Sequence, residues 1–261
     1  MKNHLRDKFD KKNMVELTIV VPAYNEGTRI YRNIIEIITQ VEKFSDSFRV
    51  IVVNDGSTDE TESEIKRAMA TDKRVGLISY DENHGKGYAV KRGIMASKSK
   101  YTAFLDADLE LPPHLLQNFL DEMSDASIVI GSKMHPDSQV DYPPLRKVMS
   151  RVYFYFMKVL FRLDTKDTQT GIKLFKTDVA QRIEKYCRCN GYSFDIEMLA
   201  IAAKLSRKTD DKIIIKEMPV VVNFSRNKSN KSKIHFKNIF EMIRDSFVIK
   251  LHVSRLKVDD E

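Results

Sequence analysis

The run Leu17-Thr18-Ile19-Val20-Val21-Pro22 is β-branched and almost continuously apolar. Such a run suits a strand covered on both faces, which is the situation of a parallel sheet flanked by helices. It leads into Ala23-Tyr24-Asn25-Glu26-Gly27, a turn whose Asn and Gly suit unusual backbone angles. A helix from about Thr28 to Lys43 follows, with Ile30, Ile34, Ile37, Ile38 and Val41 on one face.

The unit then repeats. Phe48 to Val53 reads as a second strand and ends in Asn54-Asp55-Gly56-Ser57-Thr58-Asp59, where Ser57, Thr58 or Asp59 can cap a helix beginning near Glu60. Val75 to Ser79 is a third strand, Gly85-Lys86-Gly87 opens a helix from Tyr88 to Ser97, and Tyr101 to Leu105 is a fourth strand. Successive βα units with polar residues at each strand's carboxyl end predict an α/β domain with a mostly parallel sheet and its site along that edge. No Gly-x-Gly-x-x-Gly follows the first strand and no Walker sequence occurs, which argues against an NAD enzyme and a P-loop enzyme.

The fourth strand ends abruptly in Asp106, Asp108 and Glu110, and Pro112-Pro113 stop it. In an extended segment residues two apart point the same way, so these carboxylates can converge on one point. Converging negative charges call for a cation. Hard oxygen ligands favour Mg²⁺ or Mn²⁺, and Mg²⁺ is usually held by one or two carboxylates together with substrate phosphates. A solvated acidic loop is the alternative for so short a motif.

At 261 residues the chain has room for one large α/β domain with a full core. Its net charge of +7 favours an anionic partner: nucleic acid, a phosphate-bearing substrate or an acidic membrane surface. A nucleic-acid-binding protein would need a continuous basic stripe with stacking aromatics, and three carboxylates at a strand end would repel its phosphates. Cys187 and Cys189 are too close for an ordinary disulfide and too few for a zinc site, so they read as reduced thiols of a cytosolic protein. No apolar run approaches the ~20 residues of a spanning helix. Residues 1–15 have basic residues but no apolar core, and read as a mobile basic tail rather than a signal peptide.

After the acidic loop come a helix near His114 to Met123, a strand from Ala126 to Gly131 and a helical segment from Leu145 to Leu163. In that segment Lys147, Arg151, Lys158 and Arg162 fall in one stripe beside Phe154 and Tyr155. Basic heads that snorkel beside rings describe an interfacial helix on an anionic membrane, and a core helix with a solvated basic face is the other reading. A strand from Ile213 to Phe224 precedes Ser225 to Lys233, a loop with four basic residues and no acidic one. The final helix, in 236–261, carries Ile239, Ile243, Phe247 and Leu251 on one face, for packing on the domain or on a bilayer.

Four motifs occur in order: Val20 to Glu26, Val53 to Asp59, Asn83-His84-Gly85-Lys86-Gly87 and Asp106-Ala107-Asp108-Leu109. Together they resemble the inverting glycosyltransferases of family 2, with a single Rossmann-like GT-A domain over residues 16–235. Asp167 to Phe175 and Phe194 to Leu199 resemble the dolichyl-phosphate and polyprenyl-phosphate glucosyltransferase branch, many members of which also carry transmembrane helices. The resemblance implies that Asp108 is the principal metal ligand, that Asp106 contacts ribose or metal, and that Glu110 is a second ligand. It sets the nucleotide sugar against Pro22, Tyr24, Glu26 and Asp55, while Lys86 between two glycines can approach the phosphates. Asp167 and Asp195 are the candidate catalytic groups on the acceptor side: a hydroxyl acceptor needs one of them as base, whereas a phosphate acceptor, with a second pKa of ~6, needs them only to orient groups. Arg226, supported by Lys228 and Lys231, matches the basic loop over the phosphates in that branch. The function so implied is transfer of a hexose, with UDP-glucose as the favoured donor, to a polyprenyl phosphate at the cytoplasmic face of a membrane. A glycan or cell-wall hydroxyl is the alternative acceptor.

Overall fold

The computed structural model describes residues 16–140, 144–163, 165–208, 212–222 and 236–257, without the side chains of residues 144–151, 153 and 236–242. Its centre is a seven-stranded sheet in the order β3-β2-β1-β4-β6-β5-β7. The strands are β1 (Leu17–Ala23), β2 (Phe48–Asp55), β3 (Val75–Tyr80), β4 (Tyr101–Leu105), β5 (Ile128–Ser132), β6 (Ile172–Lys176) and β7 (Ile215–Pro219). The helices are α1 (Arg29–Val41), α2 (Thr61–Thr71), α3 (Lys86–Ala96), α4 (Leu115–Asp121), α5 (Pro144–Phe161), α6 (Thr177–Glu184), α7 (Phe194–Lys208) and α8 (Phe236–Arg255).

All seven residues of β1 are buried, as a strand between two layers of helices requires. Leu17, Ile19 and Val21 belong to one core with Ile30, Ile34, Ile37 and Ile38 of α1, whereas Val20 belongs to the opposite core with α3, α6 and α7. Burying each large aliphatic side chain contributes roughly 1.5–3 kcal/mol, so the isoleucine stripe alone fixes which face of α1 meets the sheet.

The strands β3, β2, β1 and β4 are parallel neighbours, with Leu17 beside Phe48 on one side and Tyr101 on the other. The winding direction reverses between β1 and β4, and in open α/β sheets ligands bind outside the carboxyl ends of the strands at that reversal. Two departures from the local sequence signals matter for the site. First, β6 inserts between β4 and β5, antiparallel to both, with Ile172 opposite Leu105. This brings the start of β6 to the carboxyl end of β4. Second, β7 ends at Pro219 rather than at Phe224, and residues 223–235 lie outside the described residues.

The helix α5 ends at Phe161, because Arg162 takes a left-handed conformation with φ 55° and its N–H still reaches Lys158 O. Arg162 therefore leaves the stripe, and the Lys147 and Arg151 side chains are outside the described residues. The outward face of α5 that is described is mixed: Val152, Tyr155 and Val159 are exposed, and so is Lys158, whose Nζ lies 5.9 Å from the centre of the Phe154 ring. On α8 the face with Ile243, Phe247 and Leu251 also points outward, while Ser246, Ile249 and Val253 pack on the domain. Phe156 and Phe247 meet edge-on at 5.8 Å, so the two outward faces adjoin. Among the described residues no helix is long and apolar enough to cross a membrane.

Candidate active site

Two turns make the floor. The β1–α1 turn passes through Asn25 at φ 51°. Asn25 N–H donates to Ser57 Oγ at 3.0 Å and its Oδ1 accepts Thr58 N–H at 2.9 Å, while Glu26 N–H and Gly27 N–H both donate to Thr61 Oγ1. The two polar loops predicted to follow β1 and β2 are thus one stitched surface.

Pro22, Tyr24, Glu26, Asp55, Lys86 and Asp106 all line a single cleft of about 370 Å³, together with Asp108. Tyr24 is half exposed, which leaves its ring free to stack. Asp55 is less free. Its Oδ1 accepts the N–H of His84, and its Oδ2 accepts the N–H of Gly85 and the side-chain amide of Asn83, all at 2.9–3.0 Å. The Tyr80 hydroxyl also interacts with this buried carboxylate, so Asp55 serves chiefly to build the loop that opens α3 while lining the cleft.

Residues 106 to 110 are not extended. Leu109 sits at φ 52°, Leu109 N–H donates to Asp106 O, and Glu110 N–H donates to Asp108 Oδ1 at 3.0 Å. The turn keeps Asp106 and Asp108 together in the cleft and swings Glu110 away, where its Oε1 meets Lys133 Nζ at 2.7 Å. Burial, the Asp106 charge and, more weakly, Glu110 push the Asp108 carboxyl above its ordinary range. Burial raises Glu26 too, against the pull of Arg29 and with Asp108 and Asp106 adding to the rise. Among the described residues no three His, Cys, Asp or Glu side chains form a complete cage. Two adjoining carboxylates in a strained negative field fit a divalent cation whose remaining ligands are phosphate oxygens and water.

Behind the carboxylates runs a line of alternating charge. Lys86 Nζ lies 2.6 Å from Asp106 Oδ1, and Lys173 Nζ lies 2.6 Å from Asp195 Oδ1. Burial would lower the Lys86 ammonium, but Asp106, Asp195 and Asp108 hold it above its ordinary value. Burial raises the Asp195 carboxyl, and Lys173 and Lys86 oppose that rise. Asp195 is buried, and its Oδ1 is engaged by the Lys173 ammonium. Asp167 lies elsewhere, in the loop before β6. Its Oδ2 accepts Lys133 N–H at 2.9 Å and its Oδ1 accepts Gln169 N–H at 3.3 Å. Arg226, Lys228 and Lys231 fall outside the described residues.

Residues 18–184 match the model of glycosyl transferase family 2. The chain belongs to that family. Glycosyltransferase AglD of Haloferax volcanii is 30% identical over 73% of this chain and 31% of its own length. A dolichyl-phosphate beta-glucosyltransferase of Dictyostelium discoideum is 32% identical over 76% of this chain and 66% of its own length. The glycosyltransferase described here thus spans less than two thirds of the length of these curated relatives. Its fold is that of GT-A enzymes: glucosyl-3-phosphoglycerate synthase from Mycobacterium tuberculosis, solved with Mn²⁺, UDP and phosphoglyceric acid, aligns with a TM-score of 0.68 at 18% identity, covering 95% of this chain and 81% of that one.

Several residues of this glycosyltransferase site had no role assigned from the sequence, although Gly171 and Lys173 lie inside the Asp167 to Phe175 motif. Lys133 joins Glu110 to Asp167, and Lys173 neutralises Asp195. A lysine between Ile172 and Leu174 in an apolar strand is the one hint, since a buried Lys must be paired. Gly171 is another. A Cβ there would stand 2.6 Å from Asp106 Cγ, while its backbone conformation suits any residue. Gly171→Ala should therefore displace the Asp106 carboxylate from Lys86 and cut turnover by ~10²-fold, the scale of a 1 Å misplacement, with the thermal midpoint nearly unchanged. Wild-type turnover in this variant would remove Asp106 from the catalytic geometry.

Proposed function

We propose that this glycosyltransferase moves glucose from UDP-glucose to a polyprenyl phosphate at the cytoplasmic face of a membrane. The observation that carries this reading is the cleft at the β1–β4 reversal, with Lys86 over Asp106 and Asp108 beside it, in a chain whose relatives include dolichyl-phosphate beta-glucosyltransferases. Tyr24 offers the base a stacking surface, and the carboxylates of Glu26 and Asp55 accept hydrogen bonds from base or ribose. Lys86, held protonated by Asp106 and Asp195, faces the diphosphate and offsets its charge as the glycosidic bond breaks. Mg²⁺ or Mn²⁺, held by Asp106 and Asp108, would supply Lewis-acid neutralisation of the leaving diphosphate.

The acceptor phosphate, with a second pKa of ~6, attacks C1 from the side opposite the leaving group without surrendering a proton to a protein base. Burial of Asp195 agrees with that economy. Arg226, with Lys228 and Lys231, is assigned to the acceptor phosphate, and Asp167 to the loop that orients it. The exposed apolar residues of α5 and α8, the Lys158 that stands among them and the basic balance of the chain support contact with an anionic bilayer surface.

The test incubates the protein with UDP-glucose, Mg²⁺ and vesicles containing polyprenyl phosphate, reading lipid-linked glucose and released UDP separately. Arg226→Ala should lower lipid transfer at least ~10-fold through loss of a charge-assisted pair and leave UDP-glucose hydrolysis within about twofold. Unchanged lipid transfer in Arg226→Ala, with transfer to a glycan hydroxyl abolished by Asp167→Asn or Asp195→Asn, would move the assignment to a hydroxyl acceptor.

A further inference from the structure

The segment from Cys187 to Ser193 forms one wall of the donor cleft, to which it contributes Gly191 and Tyr192. Three elements hold it. From α7, Glu197 is buried and its Oε2 accepts the N–H groups of Arg188 and Cys189 at 2.8 and 2.7 Å. From the start of α3, Gly87 N–H and Tyr88 N–H donate to Asn190 O at 2.8 and 3.3 Å, and a Cβ at Gly85 would stand 2.5 Å from that same oxygen. From α8, Asp245 Oδ2 accepts the Ser193 hydroxyl at 3.3 Å, and His252 Nε2 lies 2.9 Å from Tyr186 O and 3.7 Å from Glu197 Oε1.

The wall is therefore backbone suspended between a buried carboxylate and the first turn of the helix that carries Lys86. We propose that Glu197 is a positioning residue for the nucleotide-sugar donor, and that α8, through His252 and Asp245, braces the same wall, so that the seating of α8 on the domain sets donor affinity. Glu197 touches no cleft atom itself; it acts through two N–H groups. A charged acceptor makes hydrogen bonds about twice as strong as a neutral one, and losing one end of a buried pair leaves the other unsatisfied. Loosening the wall moves Gly191 and Tyr192 and the Asn190 carbonyl that meets the first turn of α3.

The inference rests on reading the cleft as the donor site, and the experiment separates the two. UDP binding with Mn²⁺ is measured by calorimetry, without acceptor, for the wild type, Glu197→Gln and His252→Gln, alongside turnover at saturating donor. The expected result is a weakening of UDP binding by ~10-fold for Glu197→Gln and by ~3-fold for His252→Gln. Turnover at saturation should stay within about twofold. A merely structural role would lower the melting temperature and the active fraction while leaving the dissociation constant of the folded molecules unchanged. Binding within about twofold of wild type in both variants overturns the proposal while leaving the donor site intact. If Glu197→Gln does not fold, His252→Gln and Ser193→Ala decide alone, by the same criterion. A wild-type protein that binds no UDP overturns the donor reading and this inference together.

Discussion

Lys173→Met should lower the free energy of unfolding by about 3–5 kcal/mol, the cost of stranding one member of a buried ion pair. The Lys173 side chain is 1% exposed and that of Asp195 4%, so neither charge has water to fall back on. The ammonium is fully used: it donates to Asp195 Oδ1 and to Thr170 O at 2.8 Å, and it sits 4.8 Å from the centre of the Phe104 ring. Methionine keeps the volume and removes the cation, leaving Asp195 with Lys86 as its remaining positive neighbour. Burial then drives the Asp195 carboxyl further up, so the folded state holds a proton that the unfolded chain releases above its own pKa of ~3.9. Stability contributed by that proton is present at low pH and is lost as pH rises towards the folded-state value, so the deficit should grow from pH 4 to neutrality. Urea unfolding at pH 4.5 and 7.5 checks both statements. A cost below about 1 kcal/mol at pH 7.5 would show that the pair is dispensable. Replacing both members, Lys173→Met with Asp195→Leu, should recover much of the loss, because an apolar pair of similar volume often matches a buried ion pair.

Asp108→Asn should reduce turnover on the order of 10²–10³-fold, the scale of removing one preorganised group that stabilises transition-state charge, with no loss of stability. Asp108 is pushed up by burial and by the Asp106 charge, so the native fold holds this carboxylate against repulsion. A neutral amide relieves that repulsion while keeping an oxygen that can accept the Glu110 N–H. Chemical denaturation should therefore show equal or slightly higher stability beside the lost activity. Wild-type protein in excess chelator should fall to a similar level. Full wild-type activity in chelator would sink the cation reading of Asp106 and Asp108, whatever Asp108→Asn does.

The legible and the hidden parts of this molecule divide along range in the chain. The strand Leu17 to Pro22, the Ile30–Val41 stripe and the successive βα units are determined by neighbours within a turn or a few residues, and each formed where its pattern lay. Once those strands are parallel, polar residues at their carboxyl ends must share one edge, which is why a site along that edge was legible; that Tyr24, Glu26, Asp55 and Asp106 belong to it came from the resemblance to family 2, and the structure sets all four on one cleft. The alternation argument for Asp106, Asp108 and Glu110 assumed extended backbone where Leu109 turns left-handed, and the turn leaves Asp106 and Asp108 in the cleft while taking Glu110 to Lys133. Periodicity also found an apolar face on the last helix. It could not say that Ser246, Ile249 and Val253 would meet the domain instead, because that depends on what the rest of the surface leaves open.

Tertiary structure alone decided the partners. The antiparallel insertion of β6 beside β4 sets Gly171 against Asp106 and carries Lys173 to Asp195, 22 residues away. The turn at Leu109 gives Glu110 to Lys133, and packing of α7 and α8 turns Glu197 towards the wall of the cleft. Sequence patterns record which residues want burial and which need a partner. Which partner is reached depends on strand register and helix packing summed over the whole core, and no local stretch contains that information.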